Sequence, residues 1–162
     1  PKADMIAARA VLFKECMTPQ YMEYQRQGLK NSQALAEGCM EEGLKLVTNG
    51  TDNHLSLGKV TDLVASGREA ELLLESVGIV TNKNVIPFDT LNSNLTSGIR
   101  IGSPLMTTRG AKEEEMKRIG HLIGITLKSK GDPGKLEWVK KEVGEIVEKY
   151  PMFSDEWNLG GE

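Results

Sequence analysis

Residues Leu44–Gly58 read LKLVTNGTDNHLSLG, and this stretch decides the fold class. Apolar residues alternate at Leu44 and Leu46, with Val47 off phase, and the Asn49-Gly50 pair behind them is the strongest short hairpin signal a sequence offers. A second strand, His54–Gly58, follows. Working outward, the segments on either side carry helical spacing. Thr18-Pro19 reads as an N-cap with proline at the first helical position, opening a long helix through Tyr21, Tyr24, Gly28, Leu35 and Cys39 to a stop at Gly43. Before it, Ile6, Ala10 and Phe13 mark a helix over Asp4–Cys16. After the hairpin, Ser66 caps a short helix with Ala70, Leu73, Leu74 and Val77 on its inner face, ended by Gly78.

Ile79–Thr81 is expected as a short edge strand, and residues 82–98 as an irregular loop without period. Ile99-Arg100-Ile101-Gly102 reads as a third main strand, closed by Ser103-Pro104. Two helices complete the chain, one over about Ala111–Lys130, the other carrying Leu136, Val139, Val143, Ile146, Val147 and Tyr150 on one face. The expectation is an α+β fold: a small antiparallel sheet of about three main strands with helices packed on one face. Alternation of strands and helices is too sparse for a doubly wound parallel sheet.

The chain has 162 residues, a length suited to one domain, with 39% hydrophobic and 27% charged residues, as in ordinary globular proteins. Twenty Lys and Arg against 23 Asp and Glu leave a net charge of −3. No concentrated basic field is available for a phosphate backbone, so nucleic acid is not an expected partner. No apolar run approaches the ~18–20 residues of a membrane span, so no membrane partner is expected either. Cys16 and Cys39 do not form a CxxC pair and are expected as buried small hydrophobes.

Independent catalytic motifs are absent from the sequence: no Walker loop, GxSxG, HExxH or GxGxxG is present. His54 and His121 have no ligands at metal spacing, so no metal is expected. His121 is read as a helix-flank or interface histidine and His54 as a structural hydrogen-bonding residue. Glu113-Glu114-Glu115 is explained by the helix dipole. Arg100, between Ile99 and Ile101, needs either a solvated face or a partner for its planar fork, and a carboxylate is the group that fork holds best.

Several segments then recur in one order and spacing: Thr51-Asp52-Asn53-His54-Leu55, Thr81-Asn82-Lys83-Asn84, Ile86-Pro87-Phe88-Asp89, Thr96 through Pro104 and Thr107-Thr108-Arg109-Gly110. Together they resemble the C-terminal part of the serine hydroxymethyltransferases, from Pro1 to about Tyr150. The resemblance implies the small domain of a fold type I pyridoxal-phosphate (PLP) enzyme that interconverts serine and tetrahydrofolate with glycine and 5,10-methylenetetrahydrofolate. It implies that Arg100 binds the substrate carboxylate, that Asn84 lies near the folate pteridine, and that Arg109 and His54 are supportive. The family's Ser-Pro-Phe before this strand is replaced by Asn92-Ser93-Asn94.

The family's Schiff-base lysine, ring-stacking residue and ring-nitrogen aspartate match nothing in this chain, and Lys83 belongs to the Asn-Lys-Asn motif. The expectation is therefore a fragment with no catalytic residue of its own and no activity alone. Residues 1–17 would be a helical lead-in from the domain junction, 18–151 the small domain and 152–162 a tail. Its partners would be a missing large domain and a second subunit, with serine or glycine and folate as small molecules. A cytoplasmic location is expected, and a mitochondrial or plastid parent is compatible. The alternative is a stand-alone, non-catalytic module that binds folate or an amino acid or regulates.

Overall fold

A computed structural model describes residues 2–152. Among the described residues are six helices and one sheet: α1 (Ala3–Cys16), α2 (Pro19–Glu41), β1 (Lys45–Leu46), β2 (Leu55–Lys59), α3 (Gly67–Ser76), β3 (Asn82–Asn84), β4 (Gly98–Gly102), α4 (Pro104–Thr108), α5 (Glu113–Lys128) and α6 (Pro133–Lys149). The sheet is fully antiparallel, in the order β1-β2-β4-β3. The α+β class is as expected, with four strands in place of about three.

The caps read from sequence are in place. Thr18 Oγ1 accepts the amide of Tyr21 at 3.3 Å and Ser66 Oγ that of Glu69 at 3.2 Å, each satisfying one of the amides that a helix start leaves unpaired. The Asn49-Gly50 turn lies in a wider loop than a two-residue hairpin. Thr51 Oγ1 donates to Leu55 O at 2.7 Å and Asn53 Oδ1 accepts the Leu55 amide at 3.0 Å, so residues 51–54 fold on themselves before β2 begins.

Two expectations are corrected here. The edge strand is Asn82–Asn84, not Ile79–Thr81; it pairs Asn82 with Arg100 and Asn84 with Gly98, and Glu71 of α3 accepts the Lys83 amide at 3.1 Å. Ser103-Pro104 does not merely close β4 but starts α4. The tail lies outside the described residues from 153 onward, as does Pro1.

One face of the sheet is the core. Leu46, Ile99 and Ile101 point into a cluster with Leu35 and Cys39 of α2, Ala70 and Leu74 of α3, and Met116, Ile123 and Leu127 of α5. A second cluster, Val77, Leu122, Val139 and Ile146, seats α6 against α5. Val147, expected on that inner face, is exposed. Cys39 is buried, and burial pushes its thiol up to about 12; Cys16 is half-exposed, contrary to expectation. No residue of α1 is buried, so Ile6 and Phe13 stand in solvent.

The α2 and α5 backbones touch. A Cβ on Gly38 would sit 2.3 Å from the carbonyl oxygen of Lys117, and one on Gly120 would sit 2.5 Å from that of Leu35. Gly144, in the middle of α6, faces open space. Gly120→Ala should therefore cost roughly 1–3 kcal/mol of stability by overpacking, whereas Gly144→Ala should add about 0.5–1 kcal/mol by removing a glycine from a helix interior. Urea unfolding of the two variants checks both signs.

Candidate functional site

The sheet face opposite the core presents Arg100 and Gly102 of β4 and Asn82 of β3 exposed. Its rows are Lys45, Lys59, Gly98 and Asn84, then Leu57, Arg100 and Asn82, then Leu55 and Gly102. Arg100 is exposed while Ile99 and Ile101 are buried, which is the alternation a half-buried strand requires. Glycines at positions 98 and 102 flank it on the same face of β4, so no side chain of its own strand stands beside the guanidinium. Glycine in a strand marks places where another group can come close to the backbone.

The electrostatics of this face single out one group. Asp62 lies 2.7 Å from Lys45 Nζ and 3.4 Å from Lys59 Nζ, and those two ammonium groups hold its carboxyl below the usual range. Arg100 has no ion-pair or hydrogen-bond partner for its side chain among the described residues. It is the cation on this face with five N–H donors left to offer.

Asn84 shares the face, diagonal to Arg100. Its side chain makes a single hydrogen bond, from Nδ2 to Val85 O at 2.7 Å. The stretch between the two, read from sequence as an aperiodic loop, is ordered around Asp89. That carboxylate accepts the Ser97 hydroxyl at 2.5 Å and the amides of Ser97, Leu91 and Ile86 at 2.8, 2.9 and 3.2 Å. The Ser97 hydroxyl, followed by these amides, holds the Asp89 carboxyl far below the usual carboxylate range. Thr96, next to this knot, has φ +55°, a left-handed conformation that costs a β-branched residue about 1–3 kcal/mol. It is retained because its carbonyl accepts the Gly67 amide at 2.9 Å and its hydroxyl donates to Gly98 O at 3.2 Å.

The other two candidate residues stand elsewhere. His54 is exposed just before β2, where its carbonyl accepts the Ser103 amide at 3.0 Å. Its ring borders an open cleft of about 480 Å³ with Tyr24, Gln25, Asp52 and Pro104. Arg109 turns toward α6: its Nε donates to Tyr150 O and one Nη to Val147 O at 3.5 Å. A cation among the last carbonyls of a helix satisfies their unpaired oxygens and complements the helix dipole. Thus the structure brings Arg100 and Asn84 together, sets His54 beyond the end of their sheet and commits Arg109 to a helix end. His121 is paired with Glu41 at 2.7 Å, in keeping with its reading as a helix-flank residue.

Sequence reasoning missed Asn31, which is fully buried in α2. Its Nδ2 donates to Thr107 Oγ1 at 2.9 Å and Ala111 O at 2.8 Å, and its Oδ1 accepts from Gln27 at 2.9 Å. With Ser103 Oγ donating to Gly28 O at 2.7 Å, it fastens the segment after β4 onto α2. A buried asparagine with all its partners specifies one arrangement.

A resident PLP requires a lysine in an enclosed site, a carboxylate for the ring nitrogen and a cradle for its phosphate. None of the lysines is buried, and those on the open face are paired with Asp62. The residues present therefore do not make a site for the cofactor by themselves. What they offer is a single planar cation on a bare sheet face.

Fold and face together define an α+β domain with a core on one sheet face and, on the other, an exposed arginine without an ion-pair partner among the described residues. The family model described as serine hydroxymethyltransferase matches residues 1–123, and the chain belongs to that family. The match stops within α5, short of the limit near Tyr150 expected from the motifs. The family is one of PLP-dependent transferases whose full enzymes use PLP and folate.

Arg109→Ala should leave the Val147 and Tyr150 carbonyls without their cation, lowering stability by about 1 kcal/mol. Faster amide exchange confined to the last turn of α6 would accompany it. Unchanged stability and exchange would remove the helix-capping role.

Proposed function

We propose that this chain is the domain of a serine hydroxymethyltransferase that holds the carboxylate of the amino-acid substrate, in the interconversion of serine and tetrahydrofolate with glycine and 5,10-methylenetetrahydrofolate. The observation that carries the reading is Arg100, exposed on the open sheet face without a carboxylate of its own. Two parallel N–H···O bonds from a guanidinium fix the plane of a bound carboxylate as well as its place. The directions of the other bonds at the substrate's Cα follow from that plane, and alignment of this kind supplies a large share of many enzymatic rate gains. Asn84, on the same face with one internal hydrogen bond, is assigned to the folate pteridine, so amino acid and folate would meet over β4.

The lysine, the ring-nitrogen partner and the phosphate cradle are assigned to a second, cofactor-bearing domain, with a neighbouring subunit completing the site. The bare apolar residues of α1, among them Ile6, Leu12 and Phe13 at 48–65% exposure, support such a pairing, since contiguous exposed apolar surface is usually covered in the working assembly. By this reading the chain alone carries no transferase activity. His54 is kept as a supportive residue at the border of the cleft.

The test is made on the chain assembled with the cofactor-bearing domain of a family enzyme. Arg100→Ala should raise the KM for serine about 100-fold or more, roughly 3 kcal/mol for two charge-assisted hydrogen bonds. An unchanged KM would overturn the assignment. Calorimetric titration of the chain alone with glycine and folate should give no heat of binding; a measurable affinity would favour a stand-alone binding module instead.

A further inference from the structure

Arg100 has no hydrogen-bond or ion-pair partner to orient its side chain among the described residues, so its place depends on how β4 begins. The residues that decide this are not on β4. The chain leaves β3 at Asn84, passes through 85–97 and enters β4 at Gly98, and a single carboxylate binds both ends of that excursion. Asp89 accepts the Ile86 amide just after β3, and the Ser97 amide and hydroxyl just before β4, with the Leu91 amide filling its remaining acceptor position. Ile86 and Asp89 also close a turn on each other, the Asp89 amide donating to Ile86 O at 3.1 Å.

Both ends of the excursion reach the open face. Ser97 O accepts the Val60 amide at 2.9 Å and so ties the start of β4 to the end of β2. A Cβ on Gly98 would lie 2.4 Å from Ile86 Cγ2, so Ile86 rests on Gly98 in the row beside Arg100 and Asn84. Shifting β4 against β3 by one residue would send Arg100 to the core face. The donors around Asp89 hold the two strands in the register that keeps Asn84 diagonal to Arg100 on one face.

We propose that Asp89 is a positioning residue for the substrate-binding face, setting Arg100 and Asn84 relative to each other through Ser97 and Ile86 without touching the substrate. The inference rests on the assignment of Arg100 to the substrate carboxylate. It goes beyond that assignment in placing the geometric control of the site in the loop instead of the sheet.

Asp89→Asn keeps the shape but removes the charge and replaces one acceptor oxygen with a donor, which on either side faces at least one backbone amide, those of Ile86 and Ser97 or that of Leu91. In the 162-residue chain, it should speed amide exchange at residues 97–100 at least about tenfold, with the α5 amides unchanged. In the enzyme assembled with its cofactor-bearing domain, it should raise the KM for serine about tenfold while kcat changes less than about threefold. Ser97→Ala, which removes one of the four donors, should give a smaller change of the same kind and stands in if the asparagine variant does not fold. Exchange that rises uniformly along the chain, or not at all, overturns the proposal. If Arg100→Ala raises the serine KM and neither loop variant does, the positioning role alone fails. If serine KM is indifferent to Arg100→Ala, the carboxylate assignment fails first, and the positioning role falls with it.

Discussion

The fold is built on the contact between two helix backbones, α2 and α5, at Gly38 and Gly120. Glycine is a poor helix residue, costing about 1 kcal/mol against alanine, and here the cost is offset by a contact that no side chain would permit. With the helices this close, Leu35 and Cys39 of one interleave with Met116, Ile123 and Leu127 of the other to form a continuous apolar floor. The sheet lies on that floor by its Leu46, Ile99 and Ile101 face. Ion pairs at the rim, Lys117 with Glu41 and Lys128 with Glu42, decorate the contact; exposed pairs of this kind contribute little.

The sidedness of the sheet follows from that floor. Leu46, Ile99 and Ile101 take the core face, so the other carries Lys45, Lys59, Arg100, Asn82 and Asn84 beside the half-buried Leu55 and Leu57 of β2. Asp62 pairs with both lysines, and the arginine is left without an ion-pair partner among the described residues. A planar cation beside two glycine positions, on a strand whose start is knotted to Asp89, is the feature on which the proposed carboxylate-binding role rests.

Much of this was legible in the sequence, where the determining forces are local. Thr18, Pro19, Ser66 and Gly78 mark helix ends because caps depend on neighbours a few residues away. Ile99-Arg100-Ile101 announces a strand with a buried and an open face. β3 escaped detection because Asn-Lys-Asn has no periodicity; its strand character comes from β4 and from Glu71, both distant in sequence. The short helix α4 was hidden behind Ser103-Pro104, which equally ends a strand. The organising role of Asp89 was hidden for the same reason, since Ser97 reaches it only after the loop has folded. The apolar positions of α1 marked a helix, which forms over Ala3–Cys16, and none of its residues is buried among the described residues. Pattern alone left open whether Arg100 was a clamp or an ordinary surface arginine, and family resemblance supplied the first reading.

The central claim is that Arg100 meets the substrate's carboxylate and no other part of it. The most direct measurement follows the Arg100 Nε–Hε resonance in the complex of this chain with its cofactor-bearing domain, titrated in parallel with glycine and with glycinamide, which lacks the carboxylate. The account predicts a saturable shift of that resonance with glycine and none with glycinamide. An Arg100 signal that ignores glycine, or that responds to both ligands alike, would contradict it.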